Sequence, residues 1–228
     1  MHFLIALSGI IMVNVILSGD NAIVIAMASR TLPPHERRTA VVWGSAGAIL
    51  LRIILTFTAV LLLTVPYLQF AGGVTLVWIA AKLLLQGHKN ENLPGASSFA
   101  GALKMIIAAD LIMSLDNTLA IAAMAHGSLL LLTVGLLLSI PLIILGSQVI
   151  ARIMKRFPVI VYFGAGLIAW TAGELMMRDE QAGVFLRSEL PWWLLPLLLA
   201  AGVTAGGLWH AYSGKARRQT ERVRSLSK

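Results

Sequence analysis

NVILSGDNAIVIA (residues 14–26) and DLIMSLDNTLAIA (residues 110–122) are two versions of one stretch, and they decide how this chain must fold. Both contain Ser-x-Asp-Asn inside a long apolar run, and the second copy begins 96 residues after the first. A carboxylate in a membrane-embedded helix is costly, so its default interpretation is a site on the path of an ion or substrate. Its duplication indicates a transporter built from two structural repeats.

The composition is that of an integral membrane protein. Of 228 residues, 58% are hydrophobic and 12% are charged, and the mean hydropathy is +0.84, which is more apolar sequence than a soluble domain of this size can bury. Cysteine is absent, which excludes disulfides, thiolate metal sites and cysteine nucleophiles. The net charge of +8 lies mostly in loops and the tail on one side, as membrane topology requires, so no nucleic-acid partner is expected.

Seven segments are long and apolar enough to span a bilayer, which takes about 20 residues each. Their connections are short and polar, and no segment alternates as a barrel strand would. The predicted fold class is therefore an all-α membrane protein with seven transmembrane helices in contact with the lipid bilayer. The expected spans are residues 3–29, 39–64, 66–87, 99–125, 128–151, 157–178 and 191–212.

The repeat extends beyond the two Asp-Asn motifs. PYLQFAG (66–72) aligns with PVIVYFG (158–164), and WIAAKL (78–83) aligns with WTAGEL (170–175). Each unit holds three spans, an odd number, so the second unit enters the membrane upside down relative to the first. This predicts a 3+3 inverted repeat plus one C-terminal helix. The units are residues 1–95, residues 96–185, and residues 186–228 with the seventh helix and a basic cytoplasmic tail.

Lysine and arginine are distributed unevenly between the two sides of this topology. One side carries only Arg178 and Arg187, whereas the other carries the remaining loop cations and the basic tail. An excess of lysine and arginine marks the cytoplasmic side. The N-terminus is therefore predicted to lie outside the cell and the C-terminus in the cytoplasm.

Four ionisable residues lie within the predicted spans and away from the ends: Asp20, Arg52, Asp110 and Asp116. Structural polar contacts between helices are the alternative to an ion site, and they would suit Ser18 and Ser114. A single arginine cannot pair with three carboxylates, however. An ion site is therefore favoured over structural contacts.

The motif residues are spaced so that they share helix faces. Asn14, Ser18 and Asn21 follow the i, i+4, i+7 pattern of one face. The second copy repeats the pattern at residues 110, 114 and 117. Asp20 and Asp116 lie about 100° round the axis from the following Asn. One straight helix cannot aim all these oxygens at one point, and the Ser18-Gly19 pair makes local unwinding easy in the first copy.

The candidate ligands are carboxylate, amide, hydroxyl and backbone oxygens, a set that suits the hard cations Mn²⁺, Ca²⁺ and Mg²⁺. The predicted metal site comprises Asp20, Asn21, Asp116, Asn117, Asp110 and Asn14, with Ser18, Ser114, Arg52, Lys82 and Glu174 in support. Zinc and copper are disfavoured because the five histidines lie near span ends or in loops and there is no cysteine.

Lys82 and Glu174 occupy matching positions in the two repeats and carry opposite charges. Both lie about one turn from a helix end, where a long side chain reaches the interface at low cost. Three interpretations remain open: interfacial anchors, a structural ion pair, or a gate at either mouth.

No catalytic constellation is visible. The chain lacks G-x-S-x-G, H-E-x-x-H and Walker motifs and a soluble domain for ATP. The protein is therefore predicted not to be an enzyme and to need no prosthetic group. Transport without a nucleotide domain is either driven by an ion gradient or channel-like, and buried aspartates can also carry protons.

The motifs SGDNAIVIA (18–26), SLDNTLAIA (114–122) and WTAGE (170–174) closely resemble the TerC family, particularly its bacterial branch linked to manganese. The family takes its name from tellurite-resistance clusters. The resemblance covers essentially all seven predicted helices and implies a seven-helix protein of the lysine-exporter superfamily in the bacterial inner membrane. It further implies Mn²⁺ export from the cytoplasm, with Asp20, Asn21, Asp116 and Asn117 in the metal path and Asp110 beside them.

One position departs from the family pattern. Asn14 stands where an aspartate mirroring Asp110 is expected, and asparagine keeps an oxygen ligand but lacks the charge and the titratable proton.

The prediction from sequence is thus a Mn²⁺ efflux carrier. The alternatives are a Ca²⁺ or amino-acid exporter, in which Arg52 would bind a substrate carboxylate, and a non-transporting membrane scaffold of a metal or tellurite stress complex. Proton counter-transport and homo-oligomerisation stay open.

Overall fold

The computed structural model describes residues 2–63, 65–86, 98–124 and 128–226. Some side chains within these ranges, including that of Asp116, lie outside the description. The described ranges contain nine helices and no strand. In chain order the helices are α1 (His2–Leu17), α2 (Gly19–Ser29), α3 (Pro34–Leu63), α4 (Leu68–Gln86), α5 (Phe99–Met124), α6 (Leu129–Arg156), α7 (Val159–Arg178), α8 (Ala182–Glu189) and α9 (Leu194–Leu226).

Five helices in the described ranges are long and apolar enough to cross a membrane, namely those built on α3, α4, α6, α7 and α9. The bent pair α1 and α2 makes a sixth if it counts as one span. The all-α membrane class is therefore confirmed. Helix α5, predicted as the fourth span, is not among the six, so the count of seven stays a prediction.

Helices α1 and α2 meet at a bend of 51°. Ser18 lies at the junction with φ −102° and ψ 9°, and Gly19 begins α2. This is the break that the Ser-Gly pair predicts, since glycine is about 1 kcal/mol poorer than alanine in a helix interior. In the second copy Leu115 replaces the glycine, and α5 continues without interruption through Ser114.

Helix α2 lies at the centre of the molecule. Residues from Val24 to Ala28 are at most 4% exposed, and they join the main apolar core with residues of α4, α5, α6 and α7. Helix α3 packs chiefly on α5, α6 packs chiefly on the α1–α2 pair, and α4 packs on α7. Each motif-bearing segment is therefore held mainly by a helix from the other half of the chain.

The contact between α4 and α7 depends on Gly73. A Cβ atom at this position would lie 2.6 Å from the backbone oxygen of Ala172 and 2.5 Å from Cγ of Met176. Gly73→Ala is therefore expected to destabilise the fold by about 1–3 kcal/mol through overpacking. Gly146→Ala in α6 is the matched control, because a Cβ atom there meets nothing within 4 Å. Thermal unfolding in detergent measures both, and equal shifts for the two variants would contradict the prediction.

The sequence predicts two boundaries between units, one after residue 95 and one after residue 185. The limit between residues 185 and 186 falls inside α8, a short helix that the sequence analysis did not predict. The limit between residues 95 and 96 lies outside the described residues. Helix α9 continues to Leu226, past the predicted end of the last span at residue 212.

Candidate functional site

Arg52, in the middle of α3, is buried at 1% exposure. Its Nε donates a hydrogen bond to Oγ of Ser114 at 2.9 Å, and its Nη2 donates to Oδ1 of Asp110 at 2.8 Å. Nη1 donates to Oδ1 of Asn14 at 2.5 Å and to Oγ of Ser18 at 3.1 Å. These five residues form the Arg52 network. It ties the broken segment α1–α2 and helix α5 to α3 through one guanidinium.

The negative charge of Asp110 is neutralised within this network. Its ion pair with Arg52 is buried on both sides, and its carboxylate also accepts hydrogen bonds from Nδ2 of Asn21 at 2.8 Å and from Oγ of Ser114 at 3.2 Å. A buried ion pair persists only when further hydrogen bonds satisfy its remaining atoms, and here they do. In this conformation Asp110 is a partner of Arg52 rather than a free ligand.

Both polar atoms of the Asn14 side-chain amide form hydrogen bonds. Oδ1 accepts from Arg52, and Nδ2 donates to Oγ of Ser139 in α6. Ser139 in turn donates to the backbone oxygen of Leu136 at 2.7 Å. The donating Nδ2 is available because this residue is an asparagine rather than an ionised aspartate.

Asp20 lies just after the helix break and lines a different space, a cavity of about 420 Å³ between the α1–α2 break, α5 and α7. Its Oδ1 accepts a hydrogen bond from the backbone N–H of Asn21 at 2.8 Å. The other polar side chains of this Asp20 cavity are Asn117, Thr171, Glu174 and Arg178. The α7 lining runs from Leu167 to Arg178, about 16 Å along the axis, and so reaches the end of that helix.

The two Asp-Asn motifs meet at the break. Nδ2 of Asn117 donates to the backbone oxygen of Leu17 at 3.2 Å, one of the last carbonyls of α1, which lack an intrahelical donor. In the opposite direction, Asn21 reaches Asp110. Oδ1 of Asn21 is buried and has no hydrogen-bond partner among the described residues. A buried oxygen of this kind calls for an explanation such as a bound ion or water.

The structure does not bring the six predicted metal ligands into one cluster. Asn14 and Asp110 belong to the Arg52 network, Asp20 and Asn117 line the Asp20 cavity, and Asn21 lies between the two groups. The Asp116 side chain lies outside the described residues. In the part of the chain that is described, no three histidine, aspartate or glutamate residues lie close enough together to hold a metal ion.

The side chains of Lys82 and Glu174 lie in different environments. Nζ of Lys82 lies 4.5 Å from the ring centroid of Trp78, one turn earlier on the same helix face. Glu174 lines the Asp20 cavity. The two side chains form no ion pair with each other in this described part of the chain. In this conformation Lys82 contacts its own helix instead, and the anchor, ion-pair and gate interpretations stay predictions.

Asp179 is a buried carboxylate that the sequence analysis missed. It is 2% exposed. Its Oδ1 accepts from the backbone N–H groups of Gln181 and Ala182 at 3.0 and 2.9 Å, and its Oδ2 accepts from that of Phe70 at 3.2 Å. Asp179 thus ties the start of α8 to the start of α4. The only signal in the sequence was an aspartate at the turn before a short helix, where its carboxylate can accept the backbone N–H two residues on.

The model of the integral membrane protein TerC family matches residues 1–215. The chain belongs to the TerC family. The resemblance seen in the Asp-Asn motifs is thereby confirmed, and the matched residues include both motifs.

Curated relatives are membrane proteins as well. The chain is 40% identical over 209 residues to the uncharacterized membrane protein YjbE of Bacillus subtilis, covering 91% of this chain and 96% of that protein. It is 25% identical over 182 residues to YkoY of the same organism, covering 71% and 56%. It is 24% identical over 172 residues to the inner membrane protein YgdQ of Escherichia coli, covering 68% and 72%. No solved structure matches the chain.

Proposed function

We propose that this TerC-family protein exports a divalent metal ion, Mn²⁺, from the bacterial cytoplasm through the Asp20 cavity. One observation carries the proposal: one of the buried carboxylates is paired with a cation, whereas two others line a cavity. Arg52 balances Asp110, whereas Asp20 and Glu174 line a cavity that reaches a helix end. Among the described residues of the lining, Arg178 at that end is the one cation, so their net charge is negative and attracts cations.

The chemistry of the lining supports a hard cation. Asp20 and Glu174 supply carboxylate oxygens, Asn117 an amide oxygen and Thr171 a hydroxyl. Asn21, the residue after Asp20, does not line the cavity, but its buried Oδ1 has no hydrogen-bond partner among the described residues. Oxygen-only sets are typical of Mn²⁺, Mg²⁺ and Ca²⁺ sites. The choice of Mn²⁺ among these rests on the manganese-linked branch of the family that the motifs resemble.

The helix packing supports the inverted repeat in this proposal. A two-fold exchange of the halves pairs the α1–α2 segment with α5, α3 with α6, and α4 with α7. Under that exchange the contact of α3 on α5 becomes the contact of α6 on α1–α2, and both are main contacts here. The α4–α7 contact maps onto itself. Rocking of one unit against the other would then open the site to either face in turn.

The proposed direction of transport follows from the predicted orientation. This orientation places the end of α7, which the Asp20 cavity reaches, on the outer face of the membrane. We take the conformation as the outward-open state of an exporter, from which the ion leaves past Arg178. In the opposite state the site would open to the cytoplasmic face.

Two rival functions differ in what they require of the chain. An amino-acid exporter would use Arg52 to bind a substrate carboxylate, but its guanidinium already makes four hydrogen bonds within the protein. A membrane scaffold would act through the basic tail, residues 215–228. A scaffold does not require the two carboxylates in the Asp20 cavity, whereas an amino-acid exporter could use them to bind the substrate's ammonium, so the flux assay must separate it from a metal exporter.

The test is flux into proteoliposomes that contain the purified protein. Mn²⁺ flux above empty liposomes is expected, and lysine or arginine flux is not. Deleting residues 215–228 is expected to leave the flux in place, which a scaffold does not predict. Parallel assays with Ca²⁺ and with an imposed pH gradient determine selectivity and proton coupling. Absence of metal flux under all these conditions would contradict the proposal.

A further inference from the structure

A second cavity, of about 700 Å³, lies between α3 and α6 with the end of α2 behind it. Among the described residues, four basic side chains line it, Arg37 and Arg38 from α3 and Arg152 and Lys155 from α6, and no acidic one does. This basic cavity lies where the N-terminal end of α3 meets the C-terminal end of α6. A space lined by four cations repels metal ions, so it is not a second entrance to the metal path.

The four cations divide into one fixed side chain and three available ones. Arg37 donates to the backbone oxygens of Ser29 at 3.1 Å, Arg30 at 2.7 Å and Leu32 at 3.1 Å, which caps the end of α2. The other three, Arg38, Arg152 and Lys155, are exposed. None of them forms an ion pair with a described carboxylate.

The rest of the cavity is apolar and opens sideways. Its wall includes Val42 and Leu145, which are 41% and 58% exposed. Both lie on helices long and apolar enough to span the membrane, so these exposed side chains face lipid. Along α6 the lining runs from Lys155 back to Pro141, about 21 Å of helix. The cavity therefore passes from a cationic end, at the level of lipid headgroups, to an apolar wall at the depth of acyl chains.

We propose that the basic cavity binds an anionic glycerophospholipid. The phosphodiester is held by Arg38, Arg152 and Lys155, because arginine matches phosphate oxygens with paired N–H donors and lysine adds a point charge. An acyl chain lies along the wall formed by Val42 and Leu145. Basic pockets between transmembrane helices are a general means of binding anionic headgroups. The site is separate from the Asp20 cavity and does not depend on metal transport.

The test compares two double variants with the same change in net charge. Arg152→Gln with Lys155→Gln removes two cations from the cavity lining. Lys104→Gln with Arg156→Gln removes two exposed cations outside it, one of them next to Lys155 in sequence. Phosphatidylglycerol is titrated into each protein in a neutral detergent, and binding is followed by native mass spectrometry and by the unfolding temperature.

Wild type and the control variant are expected to bind phosphatidylglycerol and to unfold at a higher temperature when it is present. The cavity variant is expected to bind at least about tenfold more weakly, a loss of about 1.4 kcal/mol. Arg38→Gln, a single change on the other helix, is expected to weaken binding as well. It gives an independent reading if the double variant unfolds.

Three results would overturn the proposal. The first is equal stabilisation by phosphatidylcholine, which would mean that the charge of the lipid is irrelevant. The second is undiminished binding by the cavity variants. The third is stabilisation by inorganic phosphate alone that matches that of the lipid, which would make the cavity a site for a free anion.

Discussion

Arg52→Met is expected to destabilise the folded protein by about 3–5 kcal/mol, the cost of breaking a buried ion pair from one side. The methionine keeps much of the side-chain volume, so the loss reports mainly on charge and hydrogen bonds. Asp110 would remain buried without a cation, and Asn14, Ser18 and Ser114 would each lose a donor. Denaturant titration in detergent measures the free energy of unfolding.

A double-mutant cycle separates the ion pair from simple loss of packing. Asp110→Asn combined with Arg52→Met removes both charges, and the double variant is expected to lose less stability than the sum of the two singles. The expected coupling is about 0.5–3 kcal/mol. Arg156→Met, at an exposed arginine, is the control and is expected to stay within about 0.5 kcal/mol of wild type. Additive losses across the cycle would show that Arg52 and Asp110 do not depend on each other.

Asp20→Asn is expected to lower Mn²⁺ flux in proteoliposomes by at least about tenfold, the smallest loss typical even for a residue that only supports a metal ligand. The change keeps the shape and one oxygen but removes the negative charge next to the helix break. Thermal stability is expected to change little, because Asp20 has no buried cationic partner among the described residues. Loss of flux without loss of fold is the expected pattern.

Two further variants test whether the flux depends on the carboxylates of the Asp20 cavity in particular. Glu174→Gln removes the second carboxylate of the Asp20 cavity and is expected to reduce flux as well. Glu180→Gln removes an exposed carboxylate that does not line the cavity, and it is expected to transport like wild type. If Asp20→Asn carries Mn²⁺ at the wild-type rate, the Asp20 cavity is not the metal path. Asp116 would then be the next carboxylate to test.

The asparagine at position 14 has a physical explanation in the Arg52 network. One arginine and one aspartate make the network neutral, and Asn14 accepts from Arg52 while it donates to Ser139. An aspartate at this position would place two carboxylates on one guanidinium and leave a buried negative charge. It would also lose the hydrogen bond that Asn14 donates to Ser139. Asparagine at position 14 therefore suits the surroundings that this chain builds.

The sequence by itself determined the membrane environment, the helical class, the family and the position of the helix break. These properties depend on composition and on local preferences, such as the Ser18-Gly19 pair inside an apolar run. Both can be read without knowing which helices are neighbours.

Only the tertiary structure decided which carboxylates pair with a cation and which line a cavity. Asp20 and Asp110 carry equal charge and both lie in the repeated motif segments, yet Arg52 pairs with Asp110, which is 58 residues away along the chain. Glu174 shares a cavity with Asp20, and Asp179 is buried at the start of α4. Such partners depend on which helices pack together and how each is rotated about its axis. Those quantities are set by long-range packing, and no local pattern in the sequence encodes them.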